Sequence, residues 1–497
     1  MLFRSADPSD LTVRHVPHDA VDVAHPGEPQ GDVLDGPGRL AEVDDVADAV
    51  LVLDEHEGAG HEVAHEGLRA EGEGCATLAV MNATRWRRPT STILALLSVL
   101  SVGVASHAAA PTFSAEDEAI YKQRLERLQN AARLGLGLES YDTLESVPGA
   151  KRPNPLPAAR PADIRISAGA LAAARDYAAA NNSTALLIWH RGKLVEASYF
   201  GGATPSATFA SRSLAKPMTA VAIGRAIALG KIKSLDQPVA DFVTEWQGDA
   251  RRSRILVRHL LDMRSGFLAQ SMAPEYQDIL NRAYLHPRHG EIIVHEYPLT
   301  DEPGTRYEYN NAIAELVALV IERATGVRYG EFISREILQR IDAPGGEIWV
   351  DRPGGLAHSG CCLMVPPETY LRLAILLMQD GRWQGRRLLP EGYVGAMRTA
   401  TAENPYYGLG VYVPGPYIKR RGFANPARDV EARRVLHSEP YLTDDLFLFD
   451  GNSNQVAFIM PSKELIILRV GNDPPRKDGR EWDNSFLPNT ILRGLTP

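Results

Sequence analysis

The chain has 497 residues, 53 of them basic and 62 acidic, for a net charge of −9. The acidity is local: residues 1–80 hold 4 Arg and 18 Asp or Glu and are 14 charges negative, whereas residues 81–497, with 49 basic and 44 acidic side chains, are 5 positive. Neither part has the basic stripe of a nucleic-acid binder, and three cysteines, two of them adjacent, exclude an ordinary disulfide framework.

Residues 1–80 are rich in Asp, Glu, Gly, Val and His and nearly free of aromatics. They read as a mis-assigned, disordered start rather than part of a packed domain. His61-Glu62-Val63-Ala64-His65 matches a zinc-protease pattern, but no apolar helix surrounds it, so it reads as a chance match in a His- and Glu-rich stretch. Met81 then opens a segment with Arg85, Arg87 and Arg88 ahead of an apolar run over 93–105, closed by Ser106-His107-Ala108. Residues 81–108 have the form of a secretory signal peptide, too short for a comfortable membrane span. This predicts a start at Met81, a periplasmic or secreted product, and no stable membrane insertion after cleavage.

Residues 109–163 form a Pro- and charge-rich lead with one helix over 115–134, and the main domain covers 164–497. A helix is predicted over 164–181, then a hairpin over 186–199 with Arg191-Gly192 at its turn. A helix follows Ser213, and residues 230–390 are mainly helical with long loops. Within them, Cys361 and Cys362 read as two small buried hydrophobes, with a vicinal disulfide in an oxidising compartment as the lesser alternative. A strand series runs from 406 to 470, and a helix over 482–495 closes the chain. Strands at both ends of a helical middle predict an α/β (α+β) fold: an antiparallel sheet flanked by helices, with an inserted mainly helical region.

Three motifs carry chemistry. In Ser213-Leu214-Ala215-Lys216 the two polar residues are three apart, so a helix puts them on one face. Pro217 is tolerated if it falls in the first turn. Serine needs a partner to take its proton, and a lysine drawn out of water beside Ala220-Val221-Ala222-Ile223 is suited to that task. Pro303-Gly304 turns the chain into Tyr309-Asn310-Asn311, just ahead of an apolar helix that ends near Gly326. A tyrosine beside that lysine is drawn toward phenolate and could act as general base and acid. Asn311 would hold Lys216 or a substrate amide. The third stretch, 446–470, reads as paired strands with turns at 451–454 and 461–463.

These stretches together resemble the serine β-lactamase-like hydrolases, in the branch of class C β-lactamases, carboxylesterases and 6-aminohexanoate-dimer hydrolases. The blocks 232–239, 257–266, 309–326, 360–364 and 380–392 carry the likeness in order, over roughly residues 165–495. The resemblance implies a β-lactamase/D-peptidase-like fold and an acyl-enzyme mechanism with no metal and no organic cofactor. Ser213 would be the nucleophile, with Lys216 and Tyr309 handling its proton. The backbone N–H groups of Ser213 and Gln455 would hold the oxyanion. Where the family has Lys-Thr-Gly, this chain has Asn452-Ser453-Asn454, with no cation to grip a β-lactam carboxylate and a bulkier residue in place of glycine. That favours a neutral small-molecule ester, amide or peptide substrate over an antibiotic. β-Lactamase or D-peptidase activity, and a non-catalytic binding relative of the same fold, are the alternatives.

Overall fold

The computed structural model describes residues 111–133, 141–269, 276, 278–422, 434–475 and 481–497. The acidic start, the 61–65 pattern, Cys75 and the leader-like segment 81–108 lie outside the described residues. The helices are α1 (Ala115–Arg133), α2 (Ala168–Ala180), α3 (Ala215–Ala228), α4 (Val257–Leu261), α5 (Ile279–Leu285), α6 (His289–His295), α7 (Asn311–Thr325), α8 (Tyr329–Glu336), α9 (Pro367–Met378), α10 (Tyr393–Met397) and α11 (Phe486–Arg493). The strands are β1 (Leu144–Val147), β2 (Ser183–His190), β3 (Lys193–Tyr199), β4 (Phe209–Ala210), β5 (Gly346–Trp349), β6 (Leu363–Val365), β7 (Arg382–Trp383), β8 (Arg386–Arg387), β9 (Arg420–Gly422), β10 (Arg434–Leu436), β11 (Phe447–Gly451), β12 (Gln455–Met460) and β13 (Leu465–Gly471).

The main sheet is antiparallel with strand order β11-β12-β13-β2-β3. Its inner strands are apolar runs because both faces are covered. Alternate residues feed two cores. Leu186, Ile188, Phe458, Leu465 and Ile467 face the side closed by α2 and α11. Leu187, Trp189, Ile459, Ile466 and Leu468 join the larger core, where α9 packs on β12 and β13. That core also holds the buried faces of α3 and α7, which pack on each other. The fold is thus the expected mixed α/β arrangement of antiparallel sheet and flanking helices.

The β2–β3 hairpin turns at Arg191-Gly192 as predicted, with φ of +49° and +77°. Such left-handed pairs match the twist of the strands they join. The 164–181 helix starts later than predicted, because Ser167 caps α2 by accepting from Ala170 N. The closing helix is α11, and its approach is shaped by Asp483, whose carboxylate accepts from Ser485 N at 2.9 Å. Two predicted regions differ more. Residues 406–413 form no continuous strand: Tyr407 and Tyr412 pair only through isolated bridges, and Gly410 turns the chain at φ +70°. A Cβ at Gly410 would lie 2.8 Å from the Lys216 carbonyl oxygen, so the bend presses against α3. The helical middle also contains strands. β5 and β6 join β1 and β4 in a second sheet of order β1-β5-β6-β4. Leu144 there pairs with Trp349, too distant in sequence for a local signal. Through β1 and the buried Tyr121, Leu125 and Leu128 of α1, residues of the lead pack against the domain.

Candidate active site

Ser213 sits where the second sheet hands over to α3. Ser211, fully buried, is pinned to β6: its N–H donates to Leu363 O at 3.0 Å and its Oγ accepts from Leu363 N at 3.1 Å. Arg212 then adopts φ +51°, a conformation disfavoured for residues with a side chain. Its guanidinium donates to Tyr141 OH at 2.8 Å. The chain turns sharply there and enters a short 3-10 turn, Arg212–Leu214, that runs directly into α3. Pro217 falls in the first turn, where a missing N–H leaves no helical bond unmade.

Lys216, one turn on and only 2% exposed, reaches back to the serine. Its Nζ lies 3.1 Å from Ser213 Oγ, 2.6 Å from Asn311 Oδ1 and 3.1 Å from the Gly360 carbonyl oxygen. Tyr309 OH lies 2.7 Å from the same Oγ. Lys216 Nζ also stands 4.6 Å above the centre of the Tyr309 ring. The start of α7 aims these partners. Asn310 caps it by accepting from Ile313 N at 3.3 Å, Tyr309 precedes the cap, and Asn311 is the first helical residue. Asn311 Oδ1 and Gly360 O can only accept, whereas the serine hydroxyl can accept or donate. An ammonium therefore finds an acceptor for each of its three protons. A neutral amine would keep two of these bonds and turn its lone pair to the serine. The same geometry serves before and after a proton moves.

The third motif is the turn Asn452–Asn454 between β11 and β12, with Ser453 at φ +65° and Asn454 at φ +53°. Its link to the nucleophile turn is made by its two flanking residues. Gln455 Nε2 donates to Ala210 O at 2.7 Å. Gly451 lies so close that a Cβ there would be 3.0 Å from Leu214 N and 3.2 Å from Ser211 O. The glycine required by close approach is therefore Gly451, which pairs with Gln455 across the strands. A cation does sit at this motif, but beneath it. The buried Arg469 guanidinium donates to Ser453 O at 2.5 Å and Asn454 O at 3.1 Å, and to Ser183 Oγ at 2.8 Å. Burial pulls its pKa down to about 10.

Sequence reasoning thus named Ser213, Lys216, Tyr309 and Asn311, which the fold brings into direct contact. It placed Asn452, Ser453, Asn454 and Gln455 on a turn that the fold sets beside the nucleophile. It missed Gly360, Gly451 and Arg469. Gly360 acts through a backbone carbonyl, which no residue type announces, and Arg469 lies mid-strand. Cys361 and Cys362, which follow Gly360, are buried as expected, but they are joined in a disulfide, the alternative the sequence reading placed second. A cleft of about 280 Å³ opens beside the nucleophile turn, lined among others by Tyr141, Arg212, Ser453, Gln455 and Asn472.

Behind Lys216, burial raises the Glu315 carboxyl to about 7. Burial likewise raises Asp450, next to Gly451, to about 8. Among the described residues, His289, Glu315 and His358 bring donor atoms within 4.8 Å of one another. They do not fit a metal ion. The two imidazoles are stacked face to face, 4.2 Å apart and 15° from parallel. Imidazole binds a metal in its ring plane, and two parallel planes share no such point.

The fold and the site together define a serine hydrolase. Residues 169–487 match the protein family described as Beta-lactamase, and the chain belongs to that family. Among curated proteins it is similar to the 6-aminohexanoate-dimer hydrolase of Paenarthrobacter ureafaciens, 26% identical over 219 residues, 41% of this chain and 54% of the relative. The match thus spans about half the length of that relative. Among solved structures, one from Bacillus anthracis, provisionally assigned as a 6-aminohexanoate-dimer hydrolase, superposes with a TM-score of 0.53 at 17% identity over 75% of this chain and 93% of its own. Another from Bacteroides dorei, provisionally assigned as a beta-lactamase, gives 0.50 at 19% identity over 66% and 97%. At these identities the structures speak for the fold. No helix among the described residues is long and apolar enough to cross a membrane.

Proposed function

We propose that the protein is a secreted serine hydrolase that cleaves an ester or amide bond in a small molecule or short peptide through an acyl-serine intermediate. The observation that carries this reading is the simultaneous reach of Lys216 Nζ and Tyr309 OH to one Ser213 oxygen, at 3.1 and 2.7 Å. Ser213 Oγ attacks the substrate carbonyl while its proton passes to the Lys216–Tyr309 pair. The pair returns that proton to the leaving alcohol or amine as the tetrahedral intermediate collapses. Water, deprotonated by the same pair, then attacks the acyl ester, and Ser213 leaves with a proton. The N–H groups of Ser213 and Gln455 are assigned to the oxyanion, a role worth about 10²–10³-fold per donor.

The third motif favours a neutral substrate. Asn452, Ser453 and Asn454 supply no cation, and Arg469 is spent on carbonyls beneath the turn. The similarity to a 6-aminohexanoate-dimer hydrolase supports amide cleavage as the chemistry to try first. Export rests on the leader-like form of residues 81–108, and N-terminal sequencing of the native product would expose a mature end upstream of residue 81 if that reading is wrong.

A fluorophosphonate probe should label wild type at Ser213 and leave Ser213→Ala unlabelled and inactive, though folded. A wild type that resists the probe would make the chain a non-catalytic relative. Short-chain nitrophenyl esters should be turned over, and nitrocefin should not. Nitrocefin hydrolysis at a comparable rate would reverse the substrate assignment.

A further inference from the structure

Gly360 is held at both of its backbone polar groups, which lie on the two peptide units that meet at its Cα. Its carbonyl oxygen accepts from Lys216 Nζ at 3.1 Å, and its N–H donates to Glu315 Oε2 at 3.2 Å. Glu315 lies on α7, the helix whose first residue is Asn311, and is fully buried. The loop is docked on α7 beside it: Ser359 Oγ donates to Ala314 O at 2.7 Å and accepts from Ala318 N at 3.3 Å. Only glycine fits, since a Cβ at 360 would meet Ala314 Cβ at 2.7 Å.

A carboxylate is an expensive group to bury, and an amide N–H could be satisfied by a neutral acceptor. The surroundings of Glu315 show what the carboxylate faces. From α6 comes His289, from the loop His358, whose Nδ1 is 3.7 Å from Glu315 Oε1, and from α3 the charge of Lys216. An Asp351 carboxylate oxygen lies 3.3 Å from His289 Nδ1. Glu315 therefore stands between a stacked histidine pair and the residue whose carbonyl holds the lysine.

We infer that Glu315 is a positioning residue of the active site: by holding the Gly360 N–H it fixes the Gly360 Cα, from which the next peptide unit directs its carbonyl to hold Lys216 Nζ against Ser213 Oγ. The inference rests on the hydrolase reading above. If Gly360 is released at its N–H, its carbonyl shifts with the Cα, Lys216 loses one of three anchors and its nitrogen is free to leave the serine. An error of about 1 Å in such a placement costs about 100-fold in rate. Substrate binding in the cleft, whose lining includes neither Glu315 nor Gly360, should be little affected.

The test compares the full-length wild type with Glu315→Gln, which keeps an acceptor at the same reach, and Glu315→Leu, which keeps the volume and loses the acceptor. Glu315→Asp, whose carboxylate is one methylene short, replaces the leucine variant if that one fails to fold. The readouts are the rate constant of fluorophosphonate labelling per folded molecule, and KM and kcat separately on a nitrophenyl ester. A purely structural role would lower the folded fraction and the melting temperature without changing either rate per active site. The expected result is a fall of about 10- to 100-fold in labelling rate and kcat for the leucine or aspartate variant, KM within about twofold, and recovery to within about threefold in Glu315→Gln. A leucine or aspartate variant that labels at the wild-type rate overturns the role of Glu315 and leaves the hydrolase reading standing. A wild type that does not label overturns both.

Discussion

Removing one oxygen from Tyr309 tests the proposed chemistry most directly. In Tyr309→Phe the ring stays beneath Lys216 Nζ, now 4.6 Å from its centre, and keeps its edge contact with Tyr407 at 6.4 Å between centroids. What is lost is the hydroxyl 2.7 Å from Ser213 Oγ. A positioned acid–base group contributes about 10²–10⁴-fold, or about 3–5.5 kcal/mol of barrier at about 1.4 kcal/mol per decade. The same hydroxyl makes one half-buried hydrogen bond, worth about 1 kcal/mol to folding. Activity should therefore fall by two to four orders of magnitude while the melting temperature moves by only a few degrees. Steady-state ester hydrolysis, normalised to the circular-dichroism-verified folded protein, measures the first, and thermal denaturation the second. A phenylalanine variant within threefold of wild type, in a preparation where Ser213→Ala is dead, would refute Tyr309 as a proton carrier.

Gly451→Ala should push the nucleophile turn by a few tenths of an ångström, because the new methyl would lie 3.0 Å from the unyielding Leu214 N; kcat is expected to drop about tenfold with KM nearly unchanged, and steady-state kinetics at equal folded protein would detect it. Arg469→Met strips the guanidinium from the carbonyls of Asn181, Ser453, Asn454 and Asn472 and leaves them without that donor. Urea denaturation should show a loss of about 3 kcal/mol or more, and a loss under 1 kcal/mol would mean that water replaces the side chain. Burial holds His259, His286 and His437 each down at about 4. Unfolded, they bind protons near 6.5, so below that pH the unfolded chain takes up protons that the folded chain refuses. The histidines' contribution to stability should fall as the pH drops from about 6.5 to about 4, by up to about 3 kcal/mol per histidine, while Glu315 and Asp450, raised to about 7 and about 8, act in the opposite sense over the same range. His437→Gln should shrink that decline, as read from denaturation midpoints at pH 7 and 4.5.

The local parts of this molecule could be read directly from residue order. Three-residue spacing lets Lys216 reach Ser213 because the 3-10 turn Arg212–Leu214 runs directly into α3. Tyr309 and Asn311 flank a helix cap that announces itself through Asn310 and the apolar run behind it. The tight turn at Arg191-Gly192 and the apolar strands of the main sheet follow from turn chemistry and burial. The reading of 406–413 as a strand failed for an instructive reason. Its Tyr and Val residues have strand character, but Gly410 bends them against α3, a contact that no nearby residue signals.

What tertiary structure alone decided is how backbone atoms meet across long separations. The Gly360 carbonyl holds a lysine 144 positions earlier, and Gly451 abuts a turn formed more than two hundred residues before it. Carbonyls and missing Cβ atoms have no side-chain signature, so their role appears only when the chain is folded. The amino-acid order determined which groups could perform chemistry. The packing of α7, the β6 loop and the Gly451 turn around α3 decided which of them face one serine oxygen, because that selection depends on distances that spacing along the chain does not encode.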